Sequence, residues 1–180
     1  MVDELISLFN QLFLESENTV LIKGDDEPVY LPADGFHGQH RIVFAHGFFN
    51  SALHEIAHWC VAGPERRLLE DFGYWYEPDG RSLAQQKAFE AVEVKPQALE
   101  WIFAVSCGRR FRVSADNLAL IDSGVEHDDR GFRQNIHREV QHRLDQGLPP
   151  RAKRFSEALI EHFQPGLVLN KTLFPLSDIL

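Results

Sequence analysis

The chain of 180 residues has little cysteine, no long apolar run and no excess of basic charge. Each of these absences excludes something. Two cysteines, Cys60 and Cys107, are too few for a disulfide scaffold and lack a C-x-x-C spacing. No apolar stretch approaches 18 residues, so no membrane-spanning helix is expected. Lys and Arg number 18 against 27 Asp and Glu, a net charge of −9. That balance argues against a sequence-independent grip on nucleic acid phosphates and favours cationic partners. The opening "MVDELISLFNQLF" places acids ahead of its apolar residues and lacks a basic leader, so it reads as a helix and not a signal peptide. The expectation is a cytoplasmic protein.

What is present is ordinary globular composition, 44% hydrophobic and 25% charged, of a size for one domain spanning 1–180. Leu5, Ile6, Leu8, Phe9, Leu12 and Phe13 recur at three- and four-residue spacing, which predicts an amphipathic first helix. "TVLIKGDDEPVYLPAD" reads as two short strands about an acidic turn, and "RIVFAHG" (41–47) as a buried strand ending at Gly47. "FFNSALHEIAHWCVAG" is a buried helix, with Asn50 or Ser51 as candidate N-cap and a stop at Gly63-Pro64. "DFGYWY" (71–76) alternates like a strand. "RSLAQQKAFEAVEV" is helical, Pro96 is expected to break it, and "QALEWIFAVSCG" is a second helical run closing at Gly108. "RRFRVS" reads as a short strand, 114–130 as a loop, and 131–146 and 151–163 as two amphipathic helices. The fold class is α+β: a small sheet with surrounding helices.

Within "SALHEIAHWC" lies H-E-x-x-H: His54, Glu55 and His58. On a helix this sets two imidazoles one turn apart on one face. Nine histidines make a chance match worth weighing, at roughly 4% from the chain's own frequencies. Context favours a metal, because two histidines and a glutamate on a buried helix need partners and one ion satisfies them together. A third ligand is required. Glu90, Glu93 and Glu100 are the downstream candidates; Glu90 and Glu93 share a helical face, and Glu93 follows His58 by 35 residues, room for a strand, a turn and a returning helix. Glu100 reads as a solvated charge, Glu90 as a partner for a ligating histidine, and His46 as a turn histidine. Trp75 reads as core more readily than as pocket wall.

His–His–Glu is chemically open at this point. Around zinc it makes a gluzincin-like hydrolase with Glu55 as general base. Around ferrous iron it binds dioxygen and substrate together. A purely structural metal is a third reading.

"LIKGDDEPVYLPAD", "RIVFAHGF", "ALHEIAHWCVAG", "DFGYWYEPDGR" and "FEAVEVKPQALEW" together resemble the bacterial elongation factor P hydroxylase family, densely over residues 19–107. The resemblance implies a metal-dependent, non-heme hydroxylase acting on the β-lysylated lysine of elongation factor P, with a zincin-like H-E-x-x-H helix. It implies Fe(II) as cofactor, with zinc able to occupy the site on isolation, and dioxygen as co-substrate; no reductant is identified. His54, His58 and Glu93 become the metal ligands. Glu55 stays a catalytic candidate as proton shuttle or ligand-orienting group. The "GDDE" turn, with Asp25 and Asp26, offers counter-charge to the cationic lysyl-lysine substrate, and Arg66, Arg67, Arg109, Arg110 and Arg112 are candidate basic patches for docking.

Overall fold

A computed structural model of the chain describes residues 1–25, 27–71, 82–114 and 128–180. Residues 72–76 of the expected strand, Trp75 among them, lie outside these, as do Asp26 and most of the expected 114–130 loop. Helix α1 (Val2–Glu17) presents Leu5, Phe9 and Phe13 inward and ends at Asn18, which takes the left-handed conformation and donates its side-chain amide to Gly38 O at 2.7 Å. Strands β1 (Thr19–Lys23), β2 (Val29–Leu31) and β3 (His40–Phe44) form one sheet in the order β1-β3-β2. β1 runs parallel to β3 with Leu21 opposite Ile42; β2 runs antiparallel to it with Tyr30 opposite Ile42. Leu21, Ile42 and Phe44 are buried.

β3 stops at Phe44, three residues short of the expected end, because the chain must turn into the next helix. A short 3-10 turn, Ala45–Gly47, makes that reversal with His46 at φ 53°. Helix α2 (Phe49–Val61) follows. Neither Asn50 nor Ser51 caps it: both lie inside its first turn, and Phe48 flanks it without a side-chain cap. Ser51 is used in another way, its hydroxyl accepting the Ala45 N–H at 3.2 Å and tying the turn to the helix.

Helix α3 (Leu83–Ser106) is a single element of 24 residues that runs through Pro96. It opens on a capping box: Ser82 accepts from the Gln85 N–H while the Gln85 side chain accepts from the Ser82 N–H. Proline removes one intrahelical hydrogen bond and costs about 3 kcal/mol. Here that cost is outweighed by burial on several sides, since α3 packs on α2 and on the two C-terminal helices. It closes where expected. Gly108, at φ 69°, lets the Arg109 N–H return to Ala104 O at 2.8 Å.

"RRFRVS" forms no strand. Phe111 is buried against Trp101, its ring stacked at 5.7 Å, and Val113 packs on the same core, so helix packing satisfies the alternating apolar residues. Helices α4 (Arg130–Gln146) and α5 (Pro150–Phe163) bury Phe132, Ile136 and Val140, and Ala152, Phe155, Ser156 and Leu159. Among the described residues no helix is long and apolar enough to cross a membrane. The architecture is α+β, with helices gathered about a small sheet.

Candidate metal centre

α2 and α3 lie side by side, and each turns a polar stripe toward the other, half-buried on α2 and buried on α3. On α2 the stripe is His54 and His58, one turn apart. On α3 it is Glu93, Gln97 and Glu100, spaced four and three residues so that they stack over two turns. Glu93 is 3% exposed and Glu100 8%. Carboxylates are rarely this buried unless paired.

The pairing is direct. His58 Nε2 lies 3.0 Å from His54 Nε2 and 3.1 Å from Glu93 Oε1; His54 Nε2 lies 3.8 Å from Glu93 Oε2. Two ring nitrogens and a carboxylate oxygen therefore surround one point, all within 4.8 Å of one another. Neighbouring ligands about 2.1 Å from a common ion stand about 3.0 to 3.4 Å apart, so this spacing suits a divalent metal. The far side of His54 is also held: Nδ1 is 2.8 Å from Glu100 Oε2. Gln97 holds Glu93, donating from Nε2 to Oε2 at 3.3 Å; the same amide brackets Ser114, donating to its carbonyl at 2.7 Å and accepting its N–H at 3.1 Å.

Electrostatics follow the geometry. Burial works against charge on His54, but Glu100, Glu93 and Glu55 overrule it and lift the ring to about 10. Burial likewise disfavours charge on Glu93, yet His58 and His54 hold it down at about 2. Glu55 moves the other way: burial raises its carboxyl, offset only in part by the two histidines. Among the described residues the Glu55 carboxyl makes no hydrogen bond. It lines a cavity of about 30 Å³ together with His58, Trp59, Tyr30, Arg67 and Asp71, so that one of the candidate ligand histidines and Glu55 share a small chamber.

The other candidates go elsewhere. Among the described residues Glu90 contacts Gln86 at 3.3 Å and neither His54 nor His58. His46 is exposed on its turn, its ring against Phe48. Asp25 is exposed, and its carbonyl accepts the His46 N–H at 3.2 Å; it does not line the cavity. Arg66 pairs with Asp71 and Arg67 with Glu17, both on the cavity side and not on an open basic face. Arg109 lies over the Phe49 ring at 3.9 Å. Glu100 corrects the expectation of a solvated charge: it is buried and bonded to a ligand candidate. The signal is a polar stripe that keeps helical phase through Pro96, and an expected break at that proline hides it.

A family model described as elongation factor P hydroxylase matches residues 8–174. The elongation factor P lysine hydroxylase of Haemophilus influenzae is 50% identical over 178 residues, spanning 99% of this chain and 98% of that relative.

Proposed function

This chain belongs to the elongation factor P hydroxylase family, and from that premise we propose that it hydroxylates the β-lysylated lysine of elongation factor P at a non-heme metal centre. His54, His58 and Glu93 are the residues that would hold the ion. The observation that carries the reading is their convergence: three donors of the right types around one point, with the far nitrogen of His54 bonded to Glu100. Ferrous iron in such a site supplies the oxygen-activating redox chemistry that a C–H bond requires and that no amino-acid side chain provides.

The chain's own groups do the rest. Glu100 and Gln97 hold the ligands in place from behind, so the donor atoms need little rearrangement. Tyr30, Ile42 and Trp59 wall the chamber beside His58 and keep bulk water out. Glu55, inclined by burial to keep its proton, can exchange it with a group in the chamber. An acidic protein suits a long cationic substrate side chain. In this reading the whole chain acts as one catalytic unit in the cytoplasm, on elongation factor P and not on nucleic acid.

The test is mass spectrometry of β-lysylated elongation factor P incubated with iron-loaded protein. A gain of one oxygen in air and none under anaerobic conditions is expected. No gain with any reductant would overturn the reading. Glu55 on the chamber wall also suits a zinc hydrolase with Glu55 as base on water. Glu55→Gln separates the two, nearly abolishing hydrolysis while leaving oxygen insertion the less affected.

A further inference from the structure

We infer that Glu100 is a positioning residue: its carboxylate fixes the ring and tautomer of His54 so that Nε2 faces Glu93 and His58. The inference rests on the metal-centre reading and deepens it. Glu100 lies on α3 two turns beyond Glu93, 8% exposed, with Oε2 2.8 Å from His54 Nδ1. Among the described residues that ring is its one hydrogen-bond partner. A carboxylate so deeply placed would otherwise cost several kcal/mol, and an apolar side chain would fill the same space without that penalty. What the carboxylate adds is an acceptor at Nδ1. A ring that donates from Nδ1 must carry its lone pair on Nε2, the atom that stands 3.0 Å from His58 Nε2 and 3.8 Å from Glu93.

Glu90 shows that the position matters and not the residue type. It is a glutamate on the same helix, yet among the described residues it meets Gln86 and neither His54 nor His58.

The test uses Co²⁺ as probe, titrated into the full-length protein against a chromophoric chelator. Glu100→Met keeps the volume and removes the acceptor; it is expected to weaken Co²⁺ about 10- to 100-fold. Glu100→Gln restores an acceptor oxygen and is expected to recover most of that loss. Glu100→Met at the parent's affinity, within about twofold, would overturn the inference. Because Glu100→Met can fail to fold, the parent is read as well: ¹⁵N-histidine NMR of the zinc-loaded protein is expected to show His54 protonated on Nδ1 with Nε2 bound to metal. Binding through Nδ1 would overturn the inference. His58→Ala separates the two failures. If the parent binds no better than His58→Ala, the metal-centre reading itself fails; if His58→Ala loses the ion and Glu100→Met keeps it, only the positioning role fails.

Discussion

The same two helices, α2 and α3, build two interiors of opposite kinds. In the first, Trp59 of α2 and Phe103 of α3 join Phe9 and Phe13 of α1 and Phe155 of α5 in an aromatic cluster. Ring centroids are 4.9 Å apart for Phe9–Phe13, Phe13–Trp59 and Phe103–Phe155. Between the helices stand His54, His58, Glu93, Gln97 and Glu100. The aromatic interior is held by area and dispersion, which are non-directional and spread over many contacts. The polar interior is held by a few directional pairs, and removing one member leaves another buried without a partner. The first tolerates change in proportion to lost volume. The second fails by single atoms.

That contrast can be broken or sharpened experimentally. The largest effect belongs to the polar side: Glu93→Ala is expected to lower hydroxylation more than about 100-fold, to the detection limit of product mass spectrometry. Its circular dichroism should stay native, since Gln97 keeps its bonds to Ser114. Next, Phe155→Ala should cost about 3–5 kcal/mol in urea denaturation through the cavity it leaves, while Co²⁺ affinity of the folded protein stays at the parent value.

Titration distinguishes the two interiors further in chelator-treated protein. Glu93 is depressed to about 2 from an ordinary 4.5, so its contribution is complete above 4.5 and lost as pH falls toward 2. His54 is raised to about 10 from 6.5, so its contribution is complete below 6.5 and lost as pH rises toward 10. Urea midpoints should therefore be highest between roughly pH 4.5 and 6.5 and fall on both sides. The decrement caused by Phe155→Ala should be the same at every pH. A flat profile for the chelator-treated parent would show that the buried charges do not contribute to folding.

The smallest effect tests directionality inside the apolar region. Ser106 donates to Ile102 O at 2.7 Å, so the 2.8 Å contact with Ser156 is donated by Ser156. Ser106→Ala orphans that donor and should cost about 1–3 kcal/mol; Ser156→Ala leaves Ser106 satisfied as donor and should cost about 1 kcal/mol, both by thermal denaturation. Equal losses would contradict the direction of the bond.

Much of the fold and part of the candidate site are legible in the residues alone. Hydrophobic period marks α1, α4 and α5, and the short β-rich runs give β1 to β3, because each element must bury one face whatever its neighbours are. His54 and His58 are legible for the same reason: their spacing makes a common face on any helix. Less legible are features that depend on what lies across from a residue. Pro96 reads as a break because its intrinsic cost is local, whereas the packing that outweighs the cost is not. Ser51 reads as a cap, yet its hydroxyl is taken by Ala45. Glu90 and Glu100 are indistinguishable as residue types, and their places are reversed once α3 keeps one helical phase: Glu90 meets a glutamine and Glu100 meets His54.

The sequence by itself determined which side chains were available, which of them share a face, and, through its extended match to one family, the class of protein. Periodicity and composition are properties of the chain, so they survive without coordinates. The tertiary structure alone decided how the faces meet: that Glu93 stands against the pair of histidines, that Glu100 stands behind one of them, and that Glu55 opens onto a chamber it shares with His58. Those are distances between α2 and α3, set by how two helices pack about a shared core, and a linear pattern carries no information on them.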